Sequence, residues 1–309
     1  MSLTVVGSIA FDSVRTPFGE RDRMLGGSAV HFALAAAFFT DVHVVGPVGD
    51  DFSDEHFGLL SGHGVDTSDI ERVPGGKTFF WRGHYEYDLN VAHTDDTQLN
   101  VFGDFEPKLS DASRDADVLF LANIQPDLQR QVRGQCEGAR LAALDSMNLW
   151  IETARDSLTA AVGEVDCLII NDAEIRQLTD ETNLARAAKA VMELGPRVVI
   201  AKQGEYGAAM FTPTSFFALP GFPLEDVRDP TGAGDSFAGG FLGYLDGTAE
   251  RLDDGHLRLD DPTLRRAMAH GTVLASFNVE DFGTERVARL EREEIDARLG
   301  DLRSMTAFG

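Results

Sequence analysis

Short apolar runs alternate along this chain with longer stretches in which apolar residues recur every three or four positions. Leu3-Thr4-Val5-Val6-Gly7 opens as a buried strand, residues 30–39 read as an alanine-rich helix, and the run 42–48 follows. Further strands are expected at 118–122, 141–145, Cys167–Asn171 and Val198–Lys202, with helical spacing between them, as in Leu184–Leu194. Strand and helix in repeated alternation predict a mostly parallel sheet covered on both faces, with ligands beyond the carboxyl ends of the strands. Residues 78–101 break the rhythm. Phe79, Phe80, Trp81, Tyr85, Tyr87 and Val91 lie among polar and β-branched residues there. That pattern predicts antiparallel strands projecting from the core, either as a lid over a site or as the surface of a homodimer. No repeat, low-complexity linker or second-domain boundary is found, and the charged tail after Glu291 is expected to be peripheral.

Composition narrows the classes of function. The 309 residues carry a net charge of -24, from 51 acidic and 27 basic side chains, and only four of the latter are lysine. Such a field repels phosphate backbones, so nucleic acid is not an expected partner. The acids are spread along the chain and 43% of residues are hydrophobic, so a folded protein suited to a salt-rich interior is expected rather than an acidic disordered tail. No apolar stretch is long enough to span a membrane, and Met1-Ser2-Leu3-Thr4 is no basic leader. Cys136 and Cys167 stand alone, outside any CxxC or Cys/His cluster. A cytoplasmic location is therefore expected, with neither a disulfide framework nor zinc.

The strongest chemical signal is Asp229-Pro230-Thr231-Gly232-Ala233-Gly234-Asp235-Ser236-Phe237. Phe237, Phe241, Tyr244 and Leu245 continue it at helical spacing, which places the glycines at a helix start. Backbone N–H groups there lack intrahelical partners, and glycine lets an anion approach them closely. Gly232, Ala233 and Gly234 thus form a candidate anion hole, with Asp235 beside it as a candidate base. By spacing alone, a glycine-rich turn with Asp235 as a helix cap is the commoner explanation of the pattern.

This segment resembles the second signature of the ribokinase-like, or PfkB, carbohydrate kinase family, and the likeness extends along the chain. Gly26-Gly27-Ser28-Ala29 is similar to the family's first signature, and Gly7-Ser8-Ile9-Ala10-Phe11-Asp12 to its opening strand, which ends in a substrate-binding aspartate. Asn171-Asp172-Ala173-Glu174 resembles the N-x-x-E motif, and Lys202-Gln203-Gly204 with Gly207 resembles the loop near the nucleotide. The resemblance implies an α/β fold: one domain over residues 1–309, a three-layer αβα sandwich with a mostly parallel sheet and a small β lid contributed mainly by about 78–101. It further implies ATP and Mg²⁺ as cofactors and a hydroxyl of a sugar or nucleoside as acceptor.

Roles follow position by position. Asp235 would be the base, and Asp12 would hold acceptor hydroxyls by charge-assisted hydrogen bonds. Gly26 and Gly27 would bring backbone against the acceptor and act as a hinge for the lid. Asn171 and Glu174 would position Mg²⁺ through water, the alternative being a capped helix start. Lys202, Gly204, Gly207 and Asn278 would meet the nucleotide. Asp229 and Thr231 match a monovalent-cation site in many relatives, which leaves potassium (K⁺) as an option. His31 stands where many sugar kinases of the family have a substrate-binding asparagine, and Asp172 where proline is common. Asn123 and Asn148 follow buried strands and are expected at the pocket.

Two patterns are set aside. Gly75-Gly76-Lys77-Thr78 ends like a phosphate loop, but Glu71 stands where its first glycine is required. Gly232 and Gly234 begin a GxGxxG pattern that Phe237 breaks. A phosphosugar kinase would add basic residues around the pocket, and none is identified; Arg82 is read as a solvated lid charge. A non-catalytic binding protein, or a structural dimer on the lid strands, are the readings of other classes.

Overall fold

The computed structural model describes residues 2–252 and 256–307. The expected parallel strands form as β1 (Ser2–Val6), β4 (Asp41–Val48), β9 (Val118–Leu121), β10 (Leu141–Leu144), β11 (Cys167–Asn171) and β12 (Val198–Lys202). Short strands β5 (Val65–Asp66) and β6 (Ile70–Arg72) pair with β4, while β13 (Ala208–Phe211) and β14 (Phe216–Leu219) close the far edge antiparallel. The order β14-β13-β12-β11-β10-β9-β1-β4-β5 runs to either side of β1, so the chain reverses its winding between β1 and β9. A crevice opens at that reversal, outside the carboxyl ends of the strands.

Alternation along the strands feeds two cores. Val5, Phe120, Ala143, Ile169 and Ile200 face one layer of helices, and Leu119, Leu121, Leu144, Ile170 and Val199 face the other. The first layer holds the helices Ser28–Ala36, Ala233–Thr248 and Asp261–Asn278. Phe32 stacks on Phe120 with ring centroids 4.3 Å apart. The middle helix is gripped through small residues: a Cβ on Gly239 would lie 2.3 Å from the Phe32 carbonyl, and one on Gly240 2.8 Å from that of His270. Cys136 and Cys167 are buried and unbridged. Among the described residues no helix is long and apolar enough to cross a membrane.

Three expectations change. The lid is a four-stranded sheet, β3-β2-β7-β8, and only half of it comes from residues 78–101. β7 (Phe79–Tyr85) and β8 (Ala92–Gln98) pair antiparallel, as their pattern implied, but β7 also lies parallel to β2 (Ala10–Thr16), which carries β3 (Gly19–Gly26) on its other side. Asp12 consequently sits on a lid strand rather than at the end of the opening strand, because the chain breaks at 7–9 before pairing again. The first helix begins at Ser28, two residues early, since Gly27 adopts φ +93° and Ser28 bonds Ser8. The charged tail is not peripheral. Its helix Arg292–Thr306 buries Ile295 and Leu302, and the Arg298 guanidinium lies 3.5 Å from the centroid of the Phe277 ring.

Candidate active site

The carboxyl ends of the parallel strands deliver polar residues to one rim. Asn123 lies just beyond β9, Asp145 follows β10, and Asn171 and Lys202 end β11 and β12. The glycine-rich turn closes the rim from the side, and the lid sheet stands over it.

That turn is built from its own sequence. The buried carboxylate of Asp229 accepts the N–H of Thr231 at 2.9 Å and that of Gly283 at 3.0 Å, which folds 229–231 back on itself. Gly232 then takes φ +75°, a region that L side chains rarely adopt, and caps the Ala233–Thr248 helix. A Cβ there would also come within 2.3 Å of the His31 ring. Asn278 fastens the assembly. Its oxygen accepts from His31 Nδ1 at 2.9 Å and from the Ser236 hydroxyl at 3.0 Å, and its amide donates to the Thr231 carbonyl at 2.7 Å. Burial pushes the His31 imidazole down to about 4, so it is neutral, with its proton on Nδ1.

His31 and Asn278, expected at the acceptor and the nucleotide, are therefore placed behind the turn. Both are almost fully buried and hold Gly232 and Thr231 in position. His31 Nε2 is buried without a hydrogen-bond partner.

At the mouth of the helix the first-turn N–H groups of Gly234 and Asp235 lack intrahelical acceptors. A Cβ on Gly234 would stand 2.9 Å from Lys202 Nζ, so an ammonium lies beside this backbone cradle. Asp235 sits in the same first turn. Burial, reinforced by Asp145, pushes its carboxyl up to about 8, against the pull of Lys202. Burial likewise lifts Asp12 to about 7, although the Gly27 N–H at 3.3 Å from its Oδ2 works the other way. Glu174 is raised to about 7 by burial and by Asp145. For Lys202 burial opposes the charge, but Asp145 and Glu174 outweigh it and hold the ammonium above its usual range.

The site thus crowds carboxyl groups around one lysine and a helix N-terminus. The lysine and N–H groups suit a phosphate chain, and the crowded carboxyls suit a divalent cation. Asn171 and Glu174 are engaged with each other: the Asn171 side chain accepts the Glu174 N–H at 2.7 Å, and Glu174 accepts the Asn171 N–H at 3.1 Å. The capped helix start is what this pair forms here. Among the described residues no group of three or more His, Cys, Asp or Glu is set to hold a metal directly.

The remaining expected residues fall around the rim. Gly26 faces Asp12 so closely that a Cβ would overlap its carboxylate at 2.0 Å, and Gly27 lies against the Ser8 carbonyl. Gly204 and Gly207 both have positive φ, and the lid tip meets the first of them: a Cβ on Gly204 would sit 2.1 Å from Asn90 Oδ1. The Asn123 oxygen is taken by the Trp150 indole at 2.9 Å, and Asn148 is exposed at the head of the Asn148–Thr153 helix. Arg82 pairs with Asp22 at 3.2 Å.

Two site residues were missed from the sequence. Asp145 is the ion-pair partner of Lys202 at 2.7 Å. Its signal was available, since it is the first polar residue beyond a buried strand. Tyr85 descends from the lid and accepts the Thr231 hydroxyl at 3.2 Å, a contact without local mark in the sequence.

Comparison with known proteins identifies the family and the fold. The profile of the pfkB family carbohydrate kinases matches residues 5–289. A cytidine kinase of Thermococcus kodakarensis is 31% identical over 255 residues, covering 80% of this chain and 90% of that one. An ATP-dependent ribose-1-phosphate kinase of Halopiger xanaduensis is 30% identical over 236 residues, covering 73% and 75%. Among solved structures, an E. coli ribokinase II in complex with ATP and Mg²⁺ superposes with a TM-score of 0.79 at 18% identity, over 97% of this chain and 99% of that one. The fold is ribokinase-like, and the chain belongs to the PfkB family of carbohydrate kinases, phosphotransferases that act on hydroxyl groups.

Proposed function

We propose that the protein transfers the γ-phosphoryl group of ATP, held with Mg²⁺, to a hydroxyl of a sugar or sugar-like acceptor, with Asp235 as general base. The observation that carries this reading is the place of Asp235, in the first turn of a glycine-started helix beside Lys202. Asp12 holds the acceptor, and Asp235 takes the proton of the hydroxyl that attacks. The N–H groups of Gly234 and Asp235 and the Lys202 ammonium face the transferring phosphoryl group, whose charge spreads over its outer oxygens in the transition state. Glu174 and Asn171 would hold Mg²⁺ through water, and the ion would supply positive charge to the phosphate chain. Gly204 and Gly207 line the nucleotide side.

The test is ADP release from Mg²⁺-ATP across sugars, nucleosides and phosphosugars, with Asp235→Asn alongside. An acceptor should stimulate release in the parent protein, and the substitution should lower kcat about 100-fold or more while ATP still binds. ATP binding without acceptor-dependent release across the panel would favour a binding protein instead.

A further inference from the structure

The lid sheet presents two chemically different faces. Asp12 on β2 pairs in register with Trp81 on β7, so the two side chains leave the sheet on the same side. Tyr85, four residues on and of the same parity, reaches Thr231 of the glycine-rich turn from that side. The opposite side carries Phe11 and Phe80, which are buried in the core, and two cations of the lid lean on them, while Arg21, paired with Val14, lies on the Asp12 side over the Phe282 ring. The Arg23 guanidinium lies 4.6 Å from the centroid of the Phe11 ring and that of Arg82 5.7 Å from the Phe80 ring. Each is paired with an acid, Asp51 at 3.1 Å and Asp22 at 3.2 Å.

Trp81 is fixed in place. Its indole N–H donates to the Thr94 hydroxyl at 3.1 Å, and a Cβ on Gly83 would lie 2.3 Å from two atoms of its six-membered ring. Only a glycine at 83 lets the ring lie down along the strand, and Trp81 stays half-buried rather than covered. A rigid aromatic surface thus stands next to the hydroxyl-holding aspartate, on the side from which these two lid cations are absent.

We infer that Trp81 is a stacking platform for a nucleobase, so that the acceptor is a nucleoside rather than a free sugar or sugar phosphate. This rests on the phosphotransfer reading above. A nucleoside presents both features this face is built for: ribose hydroxyls for Asp12, and a flat ring whose π-face stacks on an aromatic side chain. A free sugar offers the indole only the C–H bonds of a puckered ring, not a flat π-face. A sugar phosphate likewise brings no flat π-face to the indole.

The protein has two tryptophans, Trp81 and Trp150, so a Trp150→Phe protein reports on Trp81 alone. Its fluorescence is titrated with purine and pyrimidine nucleosides, ribose and ribose phosphates, with ADP release measured on the same panel. At least one nucleoside should give saturable quenching, and the sugars and sugar phosphates should not. Trp81→Leu should raise KM for that nucleoside about tenfold or more, with Trp81→Phe recovering most of the loss. Fluorescence silent to every nucleoside overturns the platform, whatever is phosphorylated; turnover of a sugar under that silence leaves the kinase reading standing. Quenching by a nucleoside without turnover of any acceptor upholds the platform and removes the kinase reading.

Discussion

Lys202 Nζ lies 2.7 Å from an oxygen of Asp145, an ammonium at the end of β12 reaching past β11 to a carboxylate beyond β10. Both side chains are largely withdrawn from solvent, at 17% and 6% exposure, so neither can be left alone cheaply. Lys202→Met should cost about 3 kcal/mol in chemical denaturation, the low end for breaking a buried pair. Adding Asp145→Leu should return much of that loss without restoring ATP affinity. Equal stability of the single and double variants would show that the pair is not what the lysine contributes.

The position of Asp235 near 8 fixes a pH dependence. A base must be ionised to act, so kcat/KM should climb about tenfold per pH unit below that value and level off above it. Stability runs the other way. A carboxyl raised from 3.8 in the unfolded chain to about 8 in the folded one binds its proton more tightly when folded, so its contribution is lost as pH rises between them. Asp12 and Glu174, both raised to about 7, add to the trend. Asp235→Asn should therefore melt a few degrees above the parent at pH 8, and the gap should close by pH 4, as scanning calorimetry across that range would show.

Gly232 joins positive φ to a full neighbouring space. Gly232→Ala should cost about 1–3 kcal/mol in backbone strain and lower kcat tenfold or more, as the anion cradle shifts against Lys202. Repeating it in a His31→Ala background removes the steric part, and the strain from φ should persist. A Gly232→Ala protein with parental kinetics would refute the importance of the turn.

The charge of -24 makes stability depend on salt. Screening shortens from about 10 Å at 0.1 M to about 3 Å at 1 M, and self-repulsion falls with it. The melting temperature should rise over that range equally in KCl and NaCl. Activity at constant ionic strength asks a separate question. A gain in K⁺ over Na⁺ would support a monovalent cation near Asp229 and Thr231, and equal rates would remove it.

What the sequence disclosed, and what it hid, divides by range. Cys167–Asn171, Val198–Lys202 and Leu184–Leu194 were readable to the residue, because apolar periodicity is a local property. The glycine-rich turn was readable because its residue types are compulsory for its backbone. The other half of the lid was not. Phe11-Asp12-Ser13-Val14 forms a hairpin with the neighbouring β3, but that hairpin joins the rest of the lid through Phe80-Trp81-Arg82-Gly83, and nothing near either segment announces the other. His31 and Asn278 show the same limit, since a hydrogen bond between helices far apart in sequence leaves no mark on spacing. The tail misled through composition: Ile295 and Leu302 are few among charges, yet both are buried, and the Arg298 guanidinium lies over the Phe277 ring.

A lid woven from two separate stretches cannot be inherited as a cassette. β2 and β3 arrive before the first helix, β7 and β8 long after it, and the parallel β2–β7 seam joins them. Transplanting either stretch alone from a relative would leave a strand edge without its partner. Changes in this sheet must therefore come in matched pairs, so the lid drifts as one evolutionary unit although the gene writes it twice.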